Sequence, residues 1–137
     1  MTGQPTIAQL FETYLAERRG HFDAGRYHSH AAILDLLAAY LNRFSYAQLQ
    51  GGDRKRWQKA YDSGDDQAFC HTFGVEELSR AVEPFLSWYL PKRVRASYDV
   101  WRLAGQVTGE LHTWLCDEGH VQDADAQAAP EPLREHG

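Results

Sequence analysis

Apolar residues in this chain recur at a helical spacing, and that recurrence limits what it can fold into. Over residues 97–119 it is clearest. Val100, Ala104, Val107, Leu111, Trp114 and Leu115 stand one, three or four positions apart, which places them along one face of an α-helix. Ser97 offers a side-chain acceptor to the free amides at the helix start, Asp99 lies near the positive end of its dipole, and Gly119 supplies a stop. No segment alternates apolar and polar residues with β-branched enrichment, so strands are not expected.

The same spacing recurs upstream. Ile7, Leu10, Phe11, Tyr14 and Leu15 predict a first helix over 6–19, with Thr6 and Gln9 placed as a capping box and Gly20 as its stop. A longer helix is expected over about 25–43 on the stripe Ile33, Leu37, Tyr40, Leu41 and Phe44, with a short turn opening near Ser45. Gly51-Gly52 predicts a firm break, followed by a helix from Asp53 to Tyr61 and a turn over 63–66. Phe69 and Phe73 indicate a brief helix closed by Gly74. The next begins near Val75 and runs through Leu78, Val82, Phe85, Leu86 and Tyr89, with a kink or restart expected at Pro84 and an end at Pro91. The expected fold is all-α, a single irregular bundle of roughly five to seven helices over residues 1–121. Residues 122–137 are expected to form a mobile, disordered acidic tail, because they have almost nothing to bury.

Composition narrows the function classes. A chain of 137 residues has the size of one domain and needs neither disulfide nor metal to fold. Its two cysteines, Cys70 and Cys116, make no secreted framework. No signal peptide and no membrane span are visible, so a soluble, cytoplasmic protein is expected by default. Charge is unevenly placed: residues 1–116 carry 13 acids and 13 bases, whereas 117–137 carry six acids against Arg134 alone. The body is therefore neutral, and net acidity does not argue against an anionic partner for it.

Three constellations bear chemistry. His112, Cys116 and His120 are candidate metal ligands, the first two spaced to chelate from adjacent helical turns. On a straight helix His112 and His120 stand roughly 12 Å apart, so a shared ion requires the chain to turn back after Gly119. Arg54, Lys55, Arg56 and Lys59 surround Trp57, and Lys92, Arg93 and Arg95 follow Pro91; an aromatic within a basic strip is one mode of nucleic-acid binding. The alternative is a solvated helix face with Trp57 turned into the core. Gly105 and Gly109 sit on the last helix at a spacing that lets another helix, or a partner, approach closely. Trp88 lies off its own helix's apolar stripe, in the manner of an interface residue or of one buried by a second neighbour. His30 aligns with the Ile33 and Leu37 stripe and reads as a buried, hydrogen-bonded histidine.

No Walker A loop, Rossmann glycine fingerprint, G-x-S-x-G elbow or H-E-x-x-H motif occurs, and no cofactor is expected. Two stretches carry a resemblance: TIAQLFETYL at 6–15, and residues 85–121, which open on Phe85, Tyr89 and Leu90 and close on Trp114, Leu115 and Gly119. Together they resemble the helical, SAM-like core-binding domain of tyrosine recombinases, which would imply nucleic-acid binding. The second stretch is also similar to uncharacterised small helical proteins of bacteria and archaea. Pro84, Pro91 and the acidic residues beyond 117 depart from the recombinase pattern, so no site residue is carried over. The leading expectation is a non-enzymatic helical module that self-associates or docks a protein partner. A nucleic-acid-binding module is the second, and a metal-binding or redox protein the third.

Overall fold

The computed structural model describes residues 4–121. Among them are six α-helices, a 3-10 turn and a π-helical segment, with no strand, in one irregular bundle. The acidic tail expected over 122–137 lies outside the described residues.

Helix α1 spans Ile7–Arg19 and is closed at its start by the expected box. The Gln9 amide donates to Thr6 Oγ1 at 3.2 Å, and the Thr6 amide donates to Gln9 Oε1 at 2.9 Å. Ile7, Leu10, Phe11 and Tyr14 are buried along one face, each leucine or isoleucine contributing about 1.5–3 kcal/mol of burial. Helix α2, Ala24–Arg43, is capped by Asp23, whose carboxylate accepts the Arg26 amide at 2.8 Å. It is the central column, packing against α1 and against most of the elements that follow it. A 3-10 turn, Ser45–Gln48, follows.

Helix α3 is Gly51–Asp62, and here the structure corrects the expected break. The glycine pair opens the helix instead of preceding it. Only Gly51, at φ 56°, occupies the left-handed region that glycine enters without steric cost. Helix α4, Ala68–Thr72, and α5, Val75–Pro84, meet at Gly74. There the Ile7 amide donates to the Phe73 carbonyl at 2.8 Å, and a Cβ added at Gly74 would stand 2.9 Å from the Pro5 carbonyl.

The restart expected as one outcome at Pro84 is found, since the α-helix gives way there to a wider one, whereas Pro91 does not end the helix as expected. The backbone continues through both as a π segment, Phe85–Val94. A proline ring crowds the carbonyl four residues back in an α-helix, and widening the turn relieves that crowding. The segment stops at Arg95, which takes the left-handed conformation (φ 58°, ψ 46°), with the Arg95 and Ala96 amides both donating to the Leu90 carbonyl. Ser97 then caps α6, Tyr98–Asp117, by accepting the Val100 amide at 3.2 Å. Its buried face is Ala104, Val107, Thr108, Leu111, Trp114 and Leu115. Thr108 hides its hydroxyl by donating to the Ala104 carbonyl at 2.9 Å. At Gly119, φ 82°, the chain folds back, and the His120 and Val121 amides both reach the Leu115 carbonyl. No helix among the described residues is long and apolar enough to cross a membrane.

Candidate functional site

Pro91 has no amide hydrogen, so the carbonyl five residues back in a π-helix, that of Leu86, is left without its helical donor. The Trp101 indole fills that position: its Nε1–H donates to the Leu86 carbonyl at 2.9 Å. One edge of Trp101 is thereby fixed against the π segment while the ring remains 43% exposed. Beside it Tyr98 is 69% exposed, with ring centroids 6.2 Å apart. The two rings edge an open hollow of about 290 Å³ whose other walls are Leu86, Ser87, Pro91 and Ala96.

Trp88 and Val94 are exposed on the same π segment. Trp88 is held edge-on against Phe44 at 5.4 Å, so it is half covered by a neighbour and half offered to solvent. Of the five large hydrophobic side chains exposed among the described residues, four fall within positions 88–101, but only Tyr98 and Trp101 edge the hollow, while Trp88 packs on the side of Tyr40 and Phe44. Interspersed with them are exposed Lys92, Arg93, Arg95 and Arg102, none of which forms an ion pair among the described residues. Asp99 is the carboxylate of this turn. We refer to this surface as the ledge. Spacing alone does not single out Trp101 or Tyr98; the signal that points to Trp101 is the donor missing at Pro91.

The other basic segment is placed differently. Trp57 is only 6% exposed and stacks between Tyr46, at 4.6 Å and 7°, and Tyr61, at 5.1 Å and 16°. Both faces of its ring are covered. Arg56 is drawn to Asp53, to the Thr72 carbonyl and over the Phe73 ring. Lys55 and Lys59 project into solvent. Arg54 lies over Tyr46 and Arg93 over Phe44, each at 5.3 Å. The two basic segments therefore approach one another only through these arginines, at the connector after α2.

A polar chain, buried at Tyr14 and His30 and opening to the surface at Glu110 and Arg26, joins α1, α2 and α6. The Tyr14 hydroxyl pairs with His30 Nδ1 at 3.1 Å, and His30 Nε2 faces Glu110 Oε1 at 3.7 Å. Arg26 clasps both Glu110 oxygens at 3.1 and 3.3 Å. His30 is 2% exposed, and its burial lowers its pKa, with Glu110 opposing and Arg26 and Arg18 reinforcing that shift. Burial raises the Tyr14 pKa. The histidine is thus neutral at ordinary pH, the buried structural group expected of its place in the stripe. Above this chain Gly105 and Gly109 face open space, in a shallow trough walled by Phe22, Arg26 and Trp114. No helix of the described chain docks on the glycines.

His112 Nε2 and Cys116 Sγ lie 3.7 Å apart, as their spacing of four allows. The chain does turn back at Gly119, but it brings the His120 ring against Trp114, at 5.8 Å. No group of three or more His, Cys, Asp or Glu side chains able to hold a metal converges among the described residues. Cys70 is buried, its amide donates to Asn42 Oδ1 at 3.0 Å, and burial pushes its thiol pKa up to about 12. Such a thiol is a poor nucleophile. Compared with known proteins, the chain matches no protein-family model, no curated protein and no solved structure.

Proposed function

We propose that the protein is a non-enzymatic interaction module whose ledge docks an extended, acidic protein segment with proline or leucine at its centre. The observation that supports this reading is the hollow edged by the exposed rings of Tyr98 and Trp101, in a stretch whose exposed cations Lys92, Arg93 and Arg95 form no ion pair among the described residues. Each part has a physical match. An apolar hollow edged by two aromatic rings accepts a proline or aliphatic side chain, and extended proline-containing segments lose little entropy on docking in such hollows. Lys92, Arg93 and Arg95 favour carboxylates on the flanks of that anchor and set the on-rate and salt dependence. Helices on both sides hold the aromatic edges in place, and the Trp101 hydrogen bond limits the reordering that docking requires.

Titration of tryptophan fluorescence with synthetic peptides tests this. A peptide with an acidic-flanked Pro-x-Pro-Leu centre is expected to bind in the range of about 10 µM to 1 mM, as suits a small transient interface. Trp101→Ala, or Lys92→Glu with Arg93→Glu, should weaken it roughly tenfold. Equal binding of a peptide with basic flanks, or no effect of the ledge variants, overturns the reading.

The connector after α2 supports a second reading, nucleic-acid binding, because Arg54 over Tyr46 and Arg93 over Phe44 each rest on a ring near its start. Trp57 takes no part as a stacking platform, since both its faces are covered. This reading requires DNA or RNA binding that falls steeply with salt and is lost in Arg54→Glu with Arg93→Glu. Absence of a mobility shift at low salt removes it.

A further inference from the structure

We propose that His112 and Cys116 form half of a tetrahedral site for a zinc-class cation, and that a second copy of this chain supplies the other half. The pair lies near the end of α6, apart from the ledge at its start, and its role is separate from docking there.

Bite, donor count and placement support the assignment. A tetrahedral zinc ion holds sulfur at about 2.3 Å and imidazole nitrogen at about 2.0–2.1 Å, which sets those two donors about 3.5–3.6 Å apart. His112 Nε2 and Cys116 Sγ stand 3.7 Å apart across one helical turn, so an ion enters with only a small rotation of the side chains. His120 turns away to Trp114, and no third His, Cys, Asp or Glu among the described residues joins the pair. One chain thus offers one sulfur and one nitrogen. A twofold axis doubles that to two of each, the tetrahedral donor set that suits zinc. Both residues are partly exposed, so a second copy can reach them. Gly105, Gly109, His112 and Cys116 follow one another at spacings of four, three and four, which puts them within about 60° of arc on α6. The glycines mark no site by themselves. A Cβ added to either meets nothing within 4 Å, so the backbone of a second α6 can come close along the same stripe. Charge explains why the ion is needed. The end of α6 carries the negative pole of its dipole, with Asp117 and Glu118 exposed there. Two such ends repel each other, and a dication between them removes the repulsion. On binding, the Cys116 thiol releases its proton to solvent and ligates as the thiolate, while neutral His112 donates the lone pair of Nε2.

The test uses the full chain, purified without a polyhistidine tag and titrated with zinc or, for its spectrum, with cobalt. Light scattering coupled to size exclusion should report a monomer in chelator and a doubled mass with zinc, saturating at one ion per two chains. Cobalt in the same place should show charge transfer from two thiolates per ion and the strong visible bands of tetrahedral geometry. Cys116→Ser keeps a hydroxyl donor for His112, and His112→Gln keeps an acceptor for the thiol. Each should hold its fold by circular dichroism, weaken zinc binding by roughly tenfold or more and abolish the doubled mass. One ion per chain with no change in mass overturns the shared site, as does zinc binding that survives Cys116→Ser. A dimer already present in chelator overturns the role given to the ion. No binding at all leaves the pair a plain S–H···N hydrogen bond and ends the proposal. Peptide binding at the ledge is read separately and stands or falls without it.

Discussion

His30 shows how one side chain sets a pH dependence. Its imidazole is sealed between the Tyr14 hydroxyl and Glu110, and burial holds its pKa below the ordinary 6.5. The unfolded chain therefore takes up this proton at a higher pH than the folded chain does. Stability from His30 is fully present above the unfolded value and is lost as pH falls through the lower, folded value. Urea midpoints should decline as pH falls below about 6.5, and His30→Gln, which keeps a polar partner but does not titrate there, should flatten that decline. An unchanged slope in the variant removes His30 as its source. The residue's burial is legible in the stripe it shares with Ile33 and Leu37. Its partners are not, because Tyr14 lies 16 positions away and Glu110 comes from the far end of the chain.

The π segment shows what happens when a local rule meets a tertiary answer. Pro84 and Pro91 are clear helix-breaking signals, and from them a kink or restart and then an end are the natural expectation. Pro84 does mark a restart, as a wider helix, but at Pro91 that helix continues, with α2 and α6 packed against it and Trp101 supplying the donor that Pro91 lacks. Nothing within residues 75–95 announces that rescue; the donor arrives from the next helix. By contrast the caps at Thr6 and Ser97 and the stop at Gly119 are readable because their chemistry closes within a few residues. A double-mutant cycle tests the rescue. Trp101→Phe alone should cost about 0.5–1.5 kcal/mol, since the Leu86 carbonyl exchanges the indole for water. In a Pro91→Ala background the restored amide serves Leu86, so the same substitution should cost about 0.5–1.5 kcal/mol less. Strict additivity of the two changes in denaturant melts would disprove the exchange of donors.

Across the whole molecule the helical stripes forecast the bundle, but not which surfaces it leaves uncovered. The neutral body hides a division of labour: Trp57 and its flanking arginines are tied into the fold, while the cations after Pro91 form no ion pair among the described residues. Sequence lists both segments alike, because only packing decides which aromatic is sealed. The glycines divide in the same way. Gly105 and Gly109 face open space on a helix, so each change to Ala should stabilise the protein by about 0.5–1 kcal/mol. Gly74→Ala drives a Cβ against the Pro5 carbonyl and should cost about 1–3 kcal/mol. Thermal melts of the three variants check the contrast, and a loss of stability at Gly105 or Gly109 would mean that something occupies the trough. One sealed group also makes the fold its own timekeeper. Because the Cys70 sulfur is shielded and almost wholly protonated at neutral pH, a maleimide can consume it only during moments when α4 lifts away from α2. The slow rate of its capture then counts those excursions, and a variant that loosens the centre of the bundle should quicken the tally long before its melting curve moves.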